Sequence, residues 1–283
     1  FSNSLGIEVD SIALADYMST VEGISQIQSL SISYSSLLKD LKVVKAFPNL
    51  RYISVYGYQI TSLDGLEWFQ HGEYIDITTE KNRRRSITKI SDAPIKRMSL
   101  HFARSEDLDD IAECLTLNYL EIFRSKDLEF SKWNRVPLES LGIKQGKFKE
   151  LGNTAAIISL KDISVLGCRS LERFTGNNNR ITRLLIDNCK KLDLQTIQTF
   201  QGLETLIVNG NPNEIGLTEI GELKQLKSLT LIMCNVRIDT SNLKRYFPRL
   251  EKLHISNMKK EQAIELSQSN PDIKFSGRSF KSV

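Results

Sequence analysis

Residues Leu50–Phe69 read LRYISVYGYQITSLDGLEWF, and the first six set a pattern, apolar-x-x-apolar-x-apolar, that the rest of the chain repeats. Outward from this stretch the hexamer opens at Ile27 (IQSLSI), Gly72 (GEYIDI), Ile95 (IKRMSL), Leu117 (LNYLEI) and Leu138 (LESLGI). It continues at Leu160 (LKDISV), Ile181 (ITRLLI), Leu203 (LETLIV), Leu226 (LKSLTL) and Leu250 (LEKLHI), eleven copies in all, 21 to 24 residues apart. An unbroken run at a fixed period marks stacked units, each too small to bury its own apolar face. Within a copy the alternation is that of a short strand. Positions 4 and 6 then point into a shared core, while positions 2, 3, 5, 7 and 8 face solvent on or beside the sheet. The remainder of each copy carries the chain back, so that successive strands run parallel.

In the second copy Ile60, Leu63, Leu66 and Phe69 continue the apolar spacing. The whole resembles the leucine-rich-repeat family, whose unit reads L-x-x-L-x-L-x-x-N/C-x-L, in its short bacterial or SDS22-like subclass. The resemblance covers residues 27 to 258. It implies an α/β fold: a right-handed leucine-rich-repeat solenoid with a curved parallel β-sheet on its concave face and short helices, 3₁₀ turns and loops on its convex face. Residues 1–283 are then one solenoid domain, with an N-terminal cap over 1–26, eleven repeats over 27–258, and a capping helix and truncated strand over 259–283. A cap is needed because an open end would expose core and an unpaired strand edge. Leu5, Ile7 and Val9 alternate like a strand, and SIALADYMSTVEG after them reads as a helix. KKEQAIELSQSN reads as the closing helix, with Ile273 and Phe275 in the last strand. Two returns, SSLLKDLKVVKAFP and DTSNLKRYFP, also read as helical, each closed by Phe-Pro.

Four cysteines invite a metal or disulfide reading. Counting nine positions into copies seven to ten gives Cys168, Cys189, Asn211 and Cys234. The resemblance makes these the structural ladder, side chains turned inward to satisfy loop backbone. Cys114 reads as ordinary buried packing. No His or second Cys stands at ligand spacing, so neither a metal nor another cofactor is expected. Buried reduced thiols fit a cytoplasmic protein. The chain begins at Phe1 without Met, so a secretion signal upstream, and hence a secreted protein, stays open.

Lys plus Arg number 38 against 34 Asp plus Glu, a net charge of +4, far from the dense basic footprint of a nucleic-acid binder. No apolar run reaches the roughly 18 to 20 residues that span a bilayer, so no membrane role is expected. His71, His101 and His254 are the three histidines. G-x-S-x-G, H-E-x-x-H, P-loop and paired C-x-x-C motifs are all missing, and no catalytic residue is assigned. Two charge runs, Lys81–Arg85 (KNRRR) and Glu106–Asp110 (EDLDD), fall on neighbouring turns. They read as a mutually neutralised, solvated edge contributing about 0 to 1 kcal/mol per exposed pair.

The solvent-facing columns carry the functional signal. Position 3 gives Tyr52, Tyr74, Arg97 and Tyr119 in copies two to five, and positions 7 and 8 add Tyr34, Tyr56, His101, Phe102, Phe123 and Arg124. The core does not need aromatics and arginines there, and these are the side chains enriched at binding hot spots. Cross-strand stacking within the sheet is the structural alternative. Later copies carry Leu166, Leu185, Ile207, Ile232 and Met233 in these columns. Charges on this face are mixed, which suits one specific protein partner better than a phosphate backbone. The expectation is a non-catalytic protein-binding solenoid, monomeric alone, similar to bacterial immunity proteins that neutralise a cognate toxin. The alternatives are a secreted internalin- or effector-like protein that engages a receptor, or the recognition module of a larger enzyme or receptor.

Overall fold

The computed structural model describes residues 4–7, 23–33, 37–56, 59–78, 87–238 and 243–277. The chain divides into two compact units, 1–138 and 139–283. Each is a leucine-rich-repeat solenoid in which every copy of the hexamer contributes one strand of a parallel sheet.

In the first unit the strands are β1 (Ser4–Ile7), β2 (Ser29–Ile32), β3 (Tyr52–Val55), β4 (Tyr74–Ile77), β5 (Arg97–His101) and β6 (Tyr119–Phe123). They pair in sequence order, each residue opposite its counterpart one copy away: Tyr52 with Tyr74, Tyr74 with Arg97, Arg97 with Tyr119. Burial follows the predicted alternation except at Ser99, a position-5 residue that is buried at 5% exposure. Positions 4 and 6 hold Ile53, Val55, Ile75, Met98, Leu100, Leu120 and Ile122, all fully enclosed, each such side chain contributing about 1.5–3 kcal/mol.

The second unit repeats this plan. Its main sheet runs β7 (Ser140–Lys144), β9 (Asp162–Leu166), β11 (Arg183–Asp187), β12 (Thr205–Asn209), β14 (Ser228–Ile232), β16 (Lys252–Ile255) and β17 (Lys274–Ser276). Two short parallel pairs lie in the returns, β8 (Glu150–Leu151) with β10 (Arg173–Phe174) and β13 (Ile215–Gly216) with β15 (Val236–Arg237). A helix, Lys260–Ser269, precedes β17.

The returns are tighter than their apolar spacing suggests. Within SSLLKDLKVVKAFP the described residues form a five-residue 3₁₀ helix, Lys42–Ala46, rather than an α-helix. Val43 and Val44, both buried, are β-branched and poor helix formers, and a 3₁₀ turn fits the short span. In DTSNLKRYFP a four-residue helix, Leu243–Tyr246, is described. The segment expected as an N-terminal capping helix lies outside the described residues.

Many of the returns close on the same three-residue device. The amide of Leu50 donates to the carbonyl of Phe47 at 3.2 Å, Gly72 to Phe69 at 3.1 Å and Leu117 to Cys114 at 3.2 Å. In the second unit Leu160 donates to Ile157, Leu203 to Phe200, Leu226 to Leu223 and Leu250 to Phe247, at 3.0 to 3.2 Å. Cys114, 2% exposed, thus fills a column used elsewhere by large apolar side chains.

The acidic run Glu106–Asp110 is not a plain solvated edge. It forms most of a helix, Ser105–Ile111. Asp107 is 4% exposed, and its carboxylate accepts the Arg104 amide at 2.6 Å, satisfying a donor at the helix start. Its expected counterpart, Lys81–Arg85, lies outside the described residues.

Candidate functional site

The strand leaves each sheet through a turn that its sequence does not advertise. Position 8 is left-handed in seven consecutive copies: φ is 57° at Phe102, 56° at Arg124, 55° at Gln145, 65° at Gly167, 53° at Asn188, 72° at Gly210 and 48° at Met233. Five of these are not glycine, and the conformation costs an L-residue roughly 1–2 kcal/mol. Part of that cost is offset by hydrogen bonds between neighbouring turns. The Phe102 amide donates to the Phe123 carbonyl at 2.7 Å, Gln145 to Leu166 at 2.8 Å and Gly167 to Asp187 at 2.7 Å.

The turn delivers position 9 to the core. Cys168, Cys189 and Cys234 are buried free thiols. The Gly146 amide donates to Cys168 Sγ at 3.2 Å, Cys189 Sγ donates to the Val165 carbonyl at 3.6 Å, and Cys234 Sγ to that of Ile232 at 3.3 Å. The neighbouring Cys168 thiol, together with burial, raises that of Cys189. Asn211, 2% exposed, donates to the Leu192 carbonyl at 3.4 Å and accepts the Asn213 amide at 3.0 Å. In copy five the same position is Ser125, whose buried hydroxyl has no partner among the described residues.

On the solvent face of the first unit, Tyr52, Tyr74, Arg97 and Tyr119 form one row across four adjacent strands. Each tyrosine is tethered at its tip. Tyr52 donates to Glu73 at 3.1 Å, Tyr74 to Ser99 at 3.0 Å and Tyr119 to Glu121 at 3.3 Å. Glu73 is fixed in turn by an ion pair with Arg51, which holds its carboxyl below the usual range. The Arg97 guanidinium sits 4.9 Å from the Tyr119 ring centre, a cation–π contact. The row borders a shallow depression of about 280 Å³ whose floor includes Ser99 and Glu121. Partial burial raises the phenols of Tyr74 and Tyr119, so both stay neutral donors at physiological pH.

Beside this row His101 stacks on Phe123, ring centres 4.2 Å apart and planes 9° from parallel. The Arg124 guanidinium lies 5.7 Å from the Phe102 ring. Tyr56 donates to Asp76 at 3.4 Å, and Thr78 to the other oxygen of Asp76 at 3.0 Å. Tyr34 lies outside the described residues. The structure therefore places nine of the ten named residues on consecutive turns of one unit. Sequence columns locate them but do not reveal Ser99 and Glu73 as anchors. The signal was there, since Ser99 sits two positions along the strand from Arg97 and Glu73 directly precedes Tyr74.

His254 Nδ1 and Ser276 Oγ share a hydrogen bond of 2.9 Å in the second unit, but no carboxylate orients the imidazole among the described residues, as an activated nucleophile needs. Among the described residues no group of three His, Cys, Asp or Glu side chains could hold a metal ion, and no helix is long and apolar enough to cross a membrane.

No family model matches the chain, and no curated protein matches it. Solved structures do resemble it. An internalin (inlF) from Listeria monocytogenes is 13% identical at a TM-score of 0.41, over 87% of this chain and 72% of that one. The functional domain of InlJ from Listeria monocytogenes, described as including a cysteine ladder, is 12% identical at 0.48, over 90% of this chain and 65% of that one, so this chain spans less than two thirds of it. A leucine-rich-repeat protein from Leptospira interrogans is 11% identical at 0.34, over 96% and 93%. At these identities and scores the likeness assigns no residue and names no partner.

Proposed function

We propose that this chain is a non-catalytic recognition protein that binds one protein partner on the solvent face of its first unit. Tyr52, Tyr74, Arg97 and Tyr119 form the centre of the contact, with Tyr56, His101, Phe102, Phe123 and Arg124 beside them. The observation that carries this reading is the tethered row: three tyrosines and an arginine on adjacent strands, tips hydrogen-bonded, outside the core. Side chains already fixed lose less rotamer entropy on binding, and Tyr and Arg are the commonest hot-spot residues. Cross-strand stacking alone does not account for the polar tethers on a face turned to solvent.

The resemblance noted from sequence extends the proposal to a bacterial immunity protein that neutralises a cognate toxin in the cytoplasm and is monomeric until it binds. A surface or secreted receptor-binding protein is the alternative. Affinity capture followed by binding measurements on the captured partner tests the face. Tyr52→Ala with Tyr119→Ala should weaken binding by two orders of magnitude or more, at about 2 kcal/mol per hot spot, with little change in Tm. Unchanged affinity, or a matching loss of stability, would refute the assignment. Relief of toxin-induced growth arrest on co-expression would favour neutralisation over receptor binding.

A further inference from the structure

Position 10 follows the buried ladder residue directly, and copies six to eight fill it with Lys147, Arg169 and Lys190. Copies three to five carry Lys81, Arg104 and Lys126 there, and no copy carries an acid. Lys and Arg are 38 of 283 residues, so six successive cations at one repeat position exceed what composition alone supplies. In the second unit the strands before them are in fixed register, Ser140 with Asp162 and Asp162 with Arg183. Gln145, Gly167 and Asn188 all turn left-handed, and Gly146, Cys168 and Cys189 all go into the core. The three cations therefore leave the edge at equivalent points. With neighbouring strands about 4.8 Å apart, they place three positive charges over roughly 10 Å.

Elsewhere in this unit cations are matched to carboxylates on the next turn: Lys149 with Glu172, Lys161 with Glu139, Lys227 with Glu204. The side chains of Lys147, Arg169 and Lys190 are exposed. They make no ion pair or hydrogen bond among the described residues. Lys147 and Arg169 line a depression of about 770 Å³ whose walls include Ser170, Gly146 and Gly167.

We propose that this edge binds an acidic segment of a protein partner, laid across the repeats so that Asp or Glu side chains meet Lys147, Arg169 and Lys190. An extended peptide rises about 3.3 Å per residue, so alternate side chains about 7 Å apart face the edge, and two or three carboxylates cover it. Asp187 lines the same depression and repels a doubly charged phosphate more than a carboxylate. No aromatic side chain lines the depression to stack on a base, as a single-stranded nucleic-acid site requires. The edge shares no residue with the tyrosine row, and it rests on the protein-binding reading only in taking a protein as its ligand.

The test uses the intact chain and a fluorescein-labelled glutamate decamer, read by fluorescence anisotropy. Saturable binding is expected at low salt, weakened by added salt through screening. Lys147→Gln, Arg169→Gln and Lys190→Gln together should reduce affinity at least about tenfold. A control with the same charge loss, Lys161→Gln, Lys227→Gln and Lys252→Gln, should retain it, as should Tyr52→Ala with Tyr119→Ala, which reads the other face alone. The proposal is overturned by absent binding, by equal loss in both triple variants, or by tighter binding of a thymidine oligonucleotide of equal charge.

Discussion

Raising the pH should destabilise the first unit, in large part through one thiol. Cys114 is 2% exposed. Burial first, then the neighbouring charges of Asp110 and Glu113, push it up to about 12 from 9.0. In the unfolded chain it ionises at its ordinary value, near 8.5–9. Between the two, the unfolded state gives up a proton that the folded state keeps. The stabilisation is therefore complete below about pH 8.5 and is lost progressively as pH rises toward 12. At pH about 10.5 the loss is about 2 kcal/mol, from 1.36 kcal/mol per unit over about 1.5 units. Both tryptophans, Trp68 and Trp133, lie in this unit, so urea unfolding followed by their fluorescence reports on it. With a slope of 1–3 kcal/mol per molar urea, the midpoint should fall by about 1 M between pH 8 and 10.5. Cys114→Ala should lose that part of the pH dependence, at a fixed cost of about 1 kcal/mol for the deleted thiol. If wild type and Cys114→Ala shift equally, another group is responsible and the reasoning fails.

Leu206→Asp should abolish folding of the second unit, since Leu206 is 0% exposed and stacked between Leu184 and Leu229, leaving an unpaired carboxylate in the core; a soluble, cooperatively melting variant would contradict the register. Gly167→Ala and Gly210→Ala both place an L-residue in a left-handed turn, at a net cost of about 1 kcal/mol after the entropy lost by the unfolded chain. Only at Gly210 would the new Cβ lie 2.8 Å from Asn188 Oδ1, against 3.7 Å from Gln145 Cγ at Gly167, so the Gly210 variant should melt lower, and equal melting would count against that crowding. Ser125→Ala removes a buried hydroxyl without a partner among the described residues and should raise urea resistance by about 1 kcal/mol; destabilisation would show that the hydroxyl is satisfied.

The fold was legible because one six-residue pattern carries both strand and core information, and Leu50–Val55 alone gives the register of every later copy. The left-handed turn was not legible. Gly167 and Gly210 hint at it, but Phe102, Arg124 and Met233 argue against it by their own preferences, and the bonds from neighbouring turns override them. Asp107 was misjudged for a related reason, because an acidic run looks solvated until a helix start beneath it supplies an amide. At the candidate site the columns were readable, but the tethers of Tyr52 and Tyr74 were not, since they depend on which rotamers reach across to Glu73 and Ser99. The basic column at position 10 was in the sequence throughout. It became meaningful only when Gly146, Cys168 and Cys189 proved to be buried and the side chains of Lys147, Arg169 and Lys190 after them exposed.

The registered pairing has a consequence for how such a chain can change. Asp162, Arg183, Thr205 and Ser228 occupy one row, each bonded only to the turns on either side. Excising residues 181–202 would bring Thr205 beside Asp162 with every row still aligned, whereas removing half that length would misalign every strand that follows. The chain can thus be lengthened or shortened in whole steps of about 22 residues, each adding or subtracting one rung of a recognition surface without renegotiating the others.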